Sequence, residues 1–400
     1  MTASDLNETP RGNRVRIAFF GLRNAGKSTL VNAFTGQPIA IVSDVPGTTT
    51  DPVSKAMEIL PLGPCLITDT AGLDDVGELG EMRVRKTLDV LATTDVAVWV
   101  TGENEECRIE NEESWRDKFL SACRTCGVVV LEYRRGDSVE GLKRRIAALK
   151  LGEETPGLLD GLVERNDRVL CVVPIDESAP KGRLILPQQQ VIRECLDKGV
   201  VVTVCGPEDV RRETEDESRR PDLVITDSQA FGVVNRAIEQ SNNRTTALTS
   251  FSVLFARQKG DLDEYVKGLA AIKSLADGDT VLIAEGCTHH RQCNDIGSVK
   301  IPKALEKLSG KKLKFAFASG NGFAETCASL RSGKDSASPL RLVVHCGACM
   351  LTRREMLRRI AQAKESDVPI VNYGMVLAMA NGIDVVDVLP TSGPLPASSV

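Results

Sequence analysis

One stretch of eight residues constrains the fold more than any other part of this sequence. It is Gly21-Leu-Arg-Asn-Ala-Gly-Lys-Ser28, which fits the pattern G-x-x-x-x-G-K-S/T. The apolar run from Val15 to Phe20 predicts a strand before it, and the residues from Lys27 onward predict a helix after it. A strand before the glycine turn and a helix after it are the context that such a loop requires. The sequence therefore predicts a phosphate-binding loop at the start of an α/β domain.

The predicted loop places two functional side chains next to a bound nucleotide. Lys27 reaches the β- and γ-phosphates, and the hydroxyl of Ser28 binds Mg²⁺. Backbone N–H groups of the loop, together with the start of the helix, surround the phosphate oxygens. The predicted nucleotide-binding residues in this part of the chain are Gly21, Asn24, Ala25, Gly26, Lys27, Ser28 and Thr29.

Two later segments complete the predicted nucleotide site. The loop of residues 45–51 carries Thr48 and Thr49, and a threonine of this loop can complete the Mg²⁺ shell. Asp69-Thr-Ala-Gly72 follows an apolar strand and offers the Asp69 carboxylate to Mg²⁺ and the Gly72 N–H to the γ-phosphate. Loops that the γ-phosphate orders and that hydrolysis releases form a switch. The predicted catalytic residues are Lys27, Asp69 and Gly72.

These segments resemble the translation-factor-like GTPases of the tRNA-modification and ribosome-assembly type. The resemblance implies GTP and GDP as the nucleotides, and it implies that Thr49 binds Mg²⁺ beside Ser28 and Asp69. Asn24 matches the asparagine with which members of this group hold an activating potassium ion, so K⁺ is an expected cofactor.

The motif that reads guanine in such GTPases, Asn/Thr-Lys-x-Asp, does not occur in the sequence. One interpretation takes residues 128–137 as its remnant, with Asp137 reading the base. The other aligns residues 132–142 with a later loop of these GTPases and implies that a strand–helix unit has been lost between Val100 and Val128. Under both interpretations, the preference for GTP over ATP depends on the resemblance alone.

All three histidines of the chain lie beside cysteines. His289 and His290 belong to the run Cys287-Thr-His-His290, and His345 begins the run His345-Cys-Gly-Ala-Cys349. Residues without a shared task would be scattered along the chain. The clustering therefore indicates a metal site.

Two of these cysteines lie at the predicted carboxyl ends of parallel strands, where ligands of α/β sheets usually bind. Cys287 and Cys346 each follow a predicted parallel strand, and ligands collect beyond the carboxyl ends of such strands. Cys349 lies near a predicted helix start, which favours its thiolate. Three thiolates suit a [4Fe–4S] cluster whose fourth iron takes a histidine, a carboxylate or solvent, whereas two sulfurs and two nitrogens suit zinc, and the spacing leaves both open. The predicted metal ligands are Cys287, Cys346 and Cys349, with His289 and His345 as candidates.

Composition and charge limit the class of protein. The formal net charge of -5 lacks the basic excess that usually accompanies general nucleic-acid binding. No apolar run is long enough to span a bilayer, and residues 1–16 lack the apolar core of a secretory signal. We therefore expect a cytoplasmic protein without nucleic-acid or membrane partners, whose twelve cysteines are mostly free thiols or metal ligands.

The remainder of the chain alternates apolar strands with helices, which favours parallel sheets covered on both faces. One of the predicted strands covers Ala247–Phe255. The predicted fold class is α/β, with an N-terminal P-loop GTPase-like domain followed by two further α/β domains with mainly parallel sheets. The predicted domain boundaries are residues 1–155, 165–258 and 259–400.

Taken together, these features resemble the HydF family, the maturation GTPases of [FeFe]-hydrogenases. The family pattern Cys-x-His … His-Cys-x-x-Cys matches Cys287–His289 and His345–Cys349, with a slightly longer spacer. Residues 174–187, 250–257 and 295–302 add to the match. The principal departure is the shortened region between Val100 and Lys150.

The resemblance implies a homodimeric scaffold or carrier. Such a protein holds a [4Fe–4S] cluster and, transiently, a di-iron subcluster precursor that two radical-SAM maturases build, and it delivers this precursor to apo-[FeFe]-hydrogenase. Nucleotide turnover would govern the contacts with these partners. Two alternatives stay open. One is a housekeeping GTPase acting on tRNA or ribosomes, which the acidic balance disfavours, and the other is a zinc-containing regulatory NTPase, which the missing guanine motif favours.

Overall fold

The computed structural model describes residues 11–38, 53–74, 78–102, 112–149, 151, 155–175, 184–241, 246–286, 295–332 and 339–384. The chain divides into two compact units, Met1–Glu154 and Thr155–Val400. Within each unit, strands and helices alternate along the chain.

The first unit alternates strands and helices around one sheet. Its elements are β1 (Val15–Phe20), α1 (Lys27–Thr35), β2 (Val53–Ile59), β3 (Gly63–Asp69), α2 (Glu78–Leu91), β4 (Val96–Thr101), α3 (Glu112–Cys126), β5 (Val129–Arg134) and α4 (Val139–Ala147). The described residues form a five-stranded sheet in the order β2-β3-β1-β4-β5. Strand β2 runs antiparallel to β3, and the other neighbouring pairs are parallel.

Strand β1 lies in the middle of this sheet and is covered on both faces. Phe19 packs against Phe34 of α1 with ring centroids 5.4 Å apart, and Phe20 packs against Phe119 of α3 at 5.1 Å. Because successive strand residues point to opposite faces, α1 and α3 cover opposite faces of the sheet. Burial on both sides explains why β1 is continuously apolar from Ile17 to Phe20.

The second unit begins with a parallel sheet. Its first elements are β6 (Arg168–Val172), α5 (Leu186–Lys198), β7 (Val201–Cys205), α6 (Val210–Glu215), β8 (Leu223–Thr226), α7 (Phe231–Gln240), β9 (Ala247–Ser250) and α8 (Phe251–Lys259). Among the described residues, the strands form a four-stranded sheet in the order β7-β6-β8-β9, and all neighbouring pairs are parallel. Strand β7 therefore lies at an edge.

A second parallel sheet follows in the same unit. Its elements are α9 (Leu262–Ile272), β10 (Thr280–Glu285), α10 (Ile301–Ser309), β11 (Lys314–Ser319), α11 (Phe323–Ser332), β12 (Leu340–His345), α12 (Arg353–Glu365), β13 (Ile370–Asn372) and α13 (Tyr373–Ala380), with a π-helical turn at Ile296–Lys300. The described strands are ordered β11-β10-β12-β13, and their neighbouring pairs are parallel. The carboxyl ends of β10 and β12 therefore lie side by side.

The predicted strand over Ala247–Phe255 is wrong in its second half. Strand β9 ends at Ser250, and α8 begins at Phe251. The Ser250 hydroxyl accepts a hydrogen bond from the Val253 N–H at 3.3 Å and caps this helix. Nearly all residues of the first turns of α8 are buried, so the segment has no amphipathic period. Periodicity alone does not separate a buried helix from a buried strand.

The predicted α/β class with mainly parallel sheets is confirmed. Within the part of the chain that the structure describes, no helix is both long enough and apolar enough to cross a bilayer. The predicted boundary between residues 258 and 259 lies inside the second unit and stays a prediction.

Candidate functional site

The phosphate-binding loop connects β1 to α1, and its glycines are required by geometry. A Cβ atom at Gly21 would lie 2.5 Å from the carbonyl oxygen of Val100 in the neighbouring strand β4. Gly26 has a φ of 88° and forms the N-cap of α1. Asn24 also has a left-handed backbone, with a φ of 58°, which asparagine tolerates better than most residues. The loop is thus a tight turn that ends at a helix N-terminus.

Lys27 is the first residue of α1 and is buried. Its ammonium donates hydrogen bonds to the carbonyl oxygens of Leu22 at 2.8 Å and Gly21 at 3.3 Å. Both carbonyls belong to the glycine-rich loop. The positive charge is therefore held against the loop, where it can neutralise the charge of bound phosphate groups.

Ser28 and Asp69 meet although they are 41 residues apart in the sequence. Asp69 is the last residue of β3 and pairs with Phe19 of β1, which brings its carboxylate to the loop that follows β1. The Ser28 hydroxyl donates a hydrogen bond to Asp69 Oδ2 at 2.6 Å. Burial raises the pKa of Asp69, while the Ser28 hydrogen bond and the charge of Lys27 lower it.

The oxygen atoms at this position fit a magnesium ion. Asp69 Oδ1 is buried and has no hydrogen-bond partner among the described residues. Mg²⁺ is a hard cation that takes oxygen ligands and is held in nucleotide sites by one or two protein groups together with phosphates. The Ser28 hydroxyl and the Asp69 carboxylate supply two such groups. The predicted third protein ligand, Thr49, and the predicted nucleotide-binding Thr48 lie outside the described residues.

Gly72 lies directly against the phosphate-binding loop. A Cβ atom at this position would lie 2.6 Å from Arg23 Cγ and 2.8 Å from Arg23 N. Two residues later, Asp74 Oδ1 accepts a hydrogen bond from Arg23 N–H at 2.6 Å, and Asp74 Oδ2 accepts one from Arg23 Nε at 3.3 Å. The segment after β3 is thereby fixed to the loop after β1. The sequence analysis did not predict the pair of Arg23 and Asp74. The signal that could have indicated it is the presence of opposite charges in or next to the two nucleotide-binding motifs.

Two further predicted residues of the loop have different environments. Ala25 is buried, and its N–H donates to the Leu22 carbonyl at 3.4 Å. Thr29 lies in the first turn of α1 and is exposed. The structure therefore brings together Gly21, Asn24, Ala25, Gly26, Lys27, Ser28, Asp69 and Gly72 around one loop.

Both candidate alignments of the base-reading region include the turn between β5 and α4. Asp137 Oδ2 accepts a hydrogen bond from the Arg134 N–H at 2.9 Å. The Ser138 hydroxyl accepts one from the Gly141 N–H at 3.1 Å and caps α4. These groups therefore stabilise the turn itself, and the assignment of a base-reading residue stays a prediction.

Cys346 lies at the junction of two parallel strands. Its N–H donates to the Ala284 carbonyl of β10 at 3.0 Å, and its Sγ accepts a hydrogen bond from the Gly286 N–H at 3.2 Å. Gly286 is the residue before Cys287 in the sequence, although Cys287 and His289 themselves lie outside the described residues. The described backbone thus leads from β10 to the sulfur of Cys346.

The loop from Cys346 to Cys349 is half-buried, and Ala348 is its one buried residue. Ala348 has a left-handed φ of 57°. Burial raises the pKa of Cys346 to about 11, and burial is also the main cause of the raised pKa of Cys349. The expected thiolate at a helix start is therefore disfavoured in the metal-free protein, and ligation has to supply the free energy of deprotonation. Within the described residues, no three or more His, Cys, Asp and Glu side chains form a metal-binding group.

His345 is completely buried, and both of its ring nitrogens have hydrogen-bond partners. Nδ1 lies 2.9 Å from the Cys346 carbonyl oxygen, and Nε2 lies 2.9 Å from Arg359 Nη1. Since a guanidinium only donates, Nε2 accepts and the neutral ring donates from Nδ1. Burial and the charge of Arg359 lower the pKa of His345 to about 3. As a metal ligand, His345 would have to give up one of these contacts.

The donor set fits a thiolate-ligated metal centre. Cys346 and Cys349 are free thiols on one loop, and the residue before Cys287 contacts the first of them. Thiolates ligate both iron–sulfur clusters and zinc, and N–H groups aimed at sulfur are among the features that adjust cluster potentials.

Three family models match successive parts of the chain. Residues 158–260 match the hydrogen maturase F dimerization domain, and residues 263–387 match the hydrogen maturase F tetramerization domain. The chain belongs to the HydF family. Residues 16–130 match the 50S ribosome-binding GTPase model, which confirms that the phosphate-binding loop of this family member belongs to a GTPase domain.

Curated relatives share the GTPase region of the chain. The tRNA modification GTPase MnmE of Maricaulis maris (strain MCS10) is 35% identical in an alignment 158 residues long, which covers 35% of this chain and 35% of that protein. MnmE of Phenylobacterium zucineum (strain HLK1) is 42% identical over 105 residues, which are 25% of this chain and 23% of that protein. The chain therefore spans about a third or less of the length of these two relatives.

Solved structures of other GTP-binding proteins are distant. An Era variant of Aquifex aeolicus bound to GDP·AlF4⁻ is 14% identical, with 77% of this chain and 94% of that chain covered and a TM-score of 0.26. Toc33 of Arabidopsis thaliana with GDP and Mg²⁺ is 16% identical, with 30% and 71% covered and a TM-score of 0.21. Likeness at this level supports no functional conclusion.

Proposed function

We propose that this protein is a GTP-hydrolysing scaffold of [FeFe]-hydrogenase maturation. It holds a [4Fe–4S] cluster and a di-iron subcluster precursor, and it delivers the precursor to apo-[FeFe]-hydrogenase. One observation carries the proposal: two hydrogen maturase F models match residues 158–260 and 263–387, and Cys346 and Cys349 lie inside the second matched range on one half-buried loop. The GTPase match lies outside that region, which supports separate nucleotide and metal functions.

The nucleotide function is supported by the contacts around the phosphate-binding loop. Lys27 is held at the carbonyls of Gly21 and Leu22, and phosphate oxygens would replace these carbonyls as partners of its ammonium. Ser28 and Asp69 would bind Mg²⁺, which neutralises developing negative charge during phosphoryl transfer. Gly72 is pressed against the loop through Arg23, so its N–H can respond to a γ-phosphate.

The fixed pair of Arg23 and Asp74 supports a nucleotide-dependent switch. It joins the phosphate-binding loop to the segment that carries Gly72. A movement of Gly72 on loss of the γ-phosphate would therefore be passed through this contact to the phosphate-binding loop. Nucleotide turnover would in this way bias the interactions with partner proteins, and GTP is the proposed nucleotide because the GTPase model matches this region.

The metal function is supported by the surroundings of the two described cysteines. Cys346, Cys349 and Cys287 would ligate three irons, which leaves the fourth iron to a weaker and exchangeable ligand. That arrangement suits a cluster that holds a precursor for transfer. The partners proposed from the family resemblance are two radical-SAM maturases, which build the precursor, and the apo-hydrogenase that receives it.

Self-association is supported by strand β7 at the edge of its sheet. Within this strand, Val201 and Val204 are each 46% exposed, and Leu196 of the preceding helix is 60% exposed. An edge strand with exposed apolar residues presents unpaired N–H and C=O groups to another chain. We propose that two copies pair through β7 about a two-fold axis, within the region matched by the dimerization domain model.

Anaerobic reconstitution tests the metal function directly. Protein supplied with iron, sulfide and zinc together should bind close to one [4Fe–4S] cluster per chain and show its visible and EPR spectra. Serine substitutions of Cys287, Cys346 or Cys349 should each remove most of the bound iron, whereas serine at the exposed Cys126 should not. Stoichiometric zinc without iron in the wild-type protein would overturn the proposal.

A further inference from the structure

A buried lysine lies directly beneath the cysteine loop. Lys259 is the last residue of α8 and is 1% exposed. Its ammonium donates hydrogen bonds to the carbonyl oxygens of Leu351 at 2.6 Å, Cys349 at 3.1 Å and Ala348 at 3.3 Å. An ammonium has three N–H donors, and these three carbonyls match that number. The loop is thus wrapped around one cation.

A charge at this depth needs compensation. Lysine is almost never fully buried unless its charge is paired, because desolvation of an ammonium is costly. Here the three carbonyls supply hydrogen bonds, and the ring of Phe255 lies 5.3 Å from the ammonium. An apolar side chain of similar length would fill the space without this cost. The contacts of the loop therefore match the charge of the Lys259 ammonium as well as the volume of its side chain.

The lysine also orients the peptide groups that face the second cysteine. In a trans peptide the C=O and N–H bonds point in opposite directions. The carbonyls of Ala348 and Cys349 point to Lys259, so the N–H groups of Cys349 and Met350 point away from it. These two N–H groups also act to lower the pKa of Cys349, which burial raises. Each peptide unit thus has the cation at one end and the sulfur at the other.

The contact crosses the boundary between two family domains. Lys259 lies in the region of the dimerization domain model, and the cysteine loop lies in that of the tetramerization domain model. Cys349 also packs against the apolar cluster that contains Leu254 and Phe255 of α8. One helix therefore supplies both the cation and part of the apolar wall of the loop.

We propose that Lys259 is a positioning residue that holds two peptide N–H groups toward Cys349 and raises the reduction potential of the cluster bound there. The proposal rests on the proposed iron–sulfur function. A fixed positive charge and N–H···S hydrogen bonds both favour the more negative, reduced cluster, so the potential rises. Lys259 acts in two ways. Its charge favours the reduced cluster, and its hydrogen bonds to the loop carbonyls keep the peptide N–H groups oriented toward Cys349.

The test compares three variants of the reconstituted full-length protein. Lys259→Met removes the charge and the donors, Lys259→Gln removes the charge and keeps a donor, and Lys259→Arg keeps the charge. EPR-monitored redox titration should give a more negative potential for Lys259→Met and Lys259→Gln than for wild type, with Lys259→Arg closest to wild type. The control is Lys267→Met, which removes an exposed charge of α9. Equal potentials for Lys259→Gln, Lys259→Arg and the control would overturn the proposal.

Hydrogen exchange of the metal-free protein tests the positioning role of Lys259 independently of the proposed iron–sulfur function. If Lys259 fixes the loop, the amides of residues 348–351 should exchange faster in Lys259→Gln than in wild type, while those of β12 stay unchanged. Unchanged exchange in the loop would overturn its positioning role whether or not iron binds. Absence of iron from the wild-type protein would instead overturn the iron–sulfur function and the effect on potential that depends on it.

Discussion

The nucleotide site and the cysteine loop are built in opposite ways. In the nucleotide site, the functional groups come from two loops at the ends of neighbouring strands, and Asp69 Oδ1 is buried without a hydrogen-bond partner among the described residues. In the cysteine loop, the sulfur of Cys346 accepts an N–H, and the loop carbonyls are bound by Lys259. The first site is ready for a cation that arrives with each nucleotide. The second is stabilised before any metal arrives, as a long-lived ligand requires.

The largest effect should come from separating these two sites by mutation. Lys27→Ala removes the cation held at the phosphate-binding loop, and we expect the rate of GTP hydrolysis to fall by at least about 100-fold. Ser28→Ala should act in the same direction through loss of an Mg²⁺ ligand. Iron content should be unchanged in both variants. Lys118→Ala, an exposed lysine of α3, is the matched control.

The reciprocal variant completes this experiment. Cys346→Ser should hydrolyse GTP normally but lose the cluster. After expression with the two radical-SAM maturases, both Lys27→Ala and Cys346→Ser should support hydrogen evolution by apo-hydrogenase poorly, the first with the di-iron precursor still bound. Full activation by Lys27→Ala would show that nucleotide turnover is dispensable. Full activation by Cys346→Ser would contradict the scaffold function.

The contrast also explains what could be predicted from the sequence. A contiguous motif fixes local geometry, so the sequence alone identified Gly21, Gly26, Lys27 and Ser28, and the structure places them around one turn. The cysteine pattern indicated a metal site. The supports of its loop were missed, because Lys259 lies 90 residues before Cys349 and belongs to no motif. Such residues are identified by tertiary packing and not by spacing.

A second missed support is Arg359, and its loss should be the next largest effect. Its guanidinium is buried and binds the Gly320 carbonyl at 2.6 Å and His345 Nε2 at 2.9 Å, while Glu355 lies 3.5 Å away. Arg359→Met leaves a buried carboxylate without this partner, and we expect the free energy of unfolding to fall by about 3 kcal/mol. Urea denaturation of the metal-free protein measures the change.

The control for Arg359→Met is a variant that removes an exposed charge from the same helix, α12. Lys364 is exposed on α12 and pairs with Glu264 at 3.2 Å. Lys364→Met should change the free energy of unfolding by no more than about 0.5 kcal/mol. Equal stability of the two variants would contradict the role of Arg359 as a buried support of the strand end at His345.

Discrimination between nucleotides should be a smaller effect. Hydrogen bonds to the base edge carry the choice between purines, and the described candidate, Asp137, is engaged in its own turn. Competition binding should therefore show a preference for GTP over ATP of less than about a thousandfold, or about 4 kcal/mol. A larger preference would mean that another residue reads guanine. Asp137→Ala should leave the ratio unchanged if this residue only stabilises the turn.

The smallest expected effect concerns the stability of the nucleotide site itself. Burial raises the pKa of Asp69, so ionisation of this carboxyl in the folded, metal-free protein costs free energy. The stabilising contribution of the protonated form is complete below the ordinary pKa of about 4 and is lost as the pH rises through the raised value. Asp69→Asn is neutral at every pH. At pH 8 without Mg²⁺, the variant should therefore melt a few degrees higher than wild type.

The pH dependence distinguishes this electrostatic cause from a change in packing. Because the pKa of Asp69 is raised, this carboxyl takes up its proton at a higher pH in the folded protein than in the unfolded chain, so the melting temperatures of Asp69→Asn and wild type should approach each other as the pH falls from 8 toward 4. Added Mg²⁺ and GTP should reverse the order at pH 8, because only the carboxylate gains the cation and ligand binding stabilises the folded state. A variant that melts higher by the same amount at pH 4 and pH 8 would show that packing, and not the buried charge, separates the two proteins. An unchanged order with Mg²⁺ and GTP would place the cation away from Asp69.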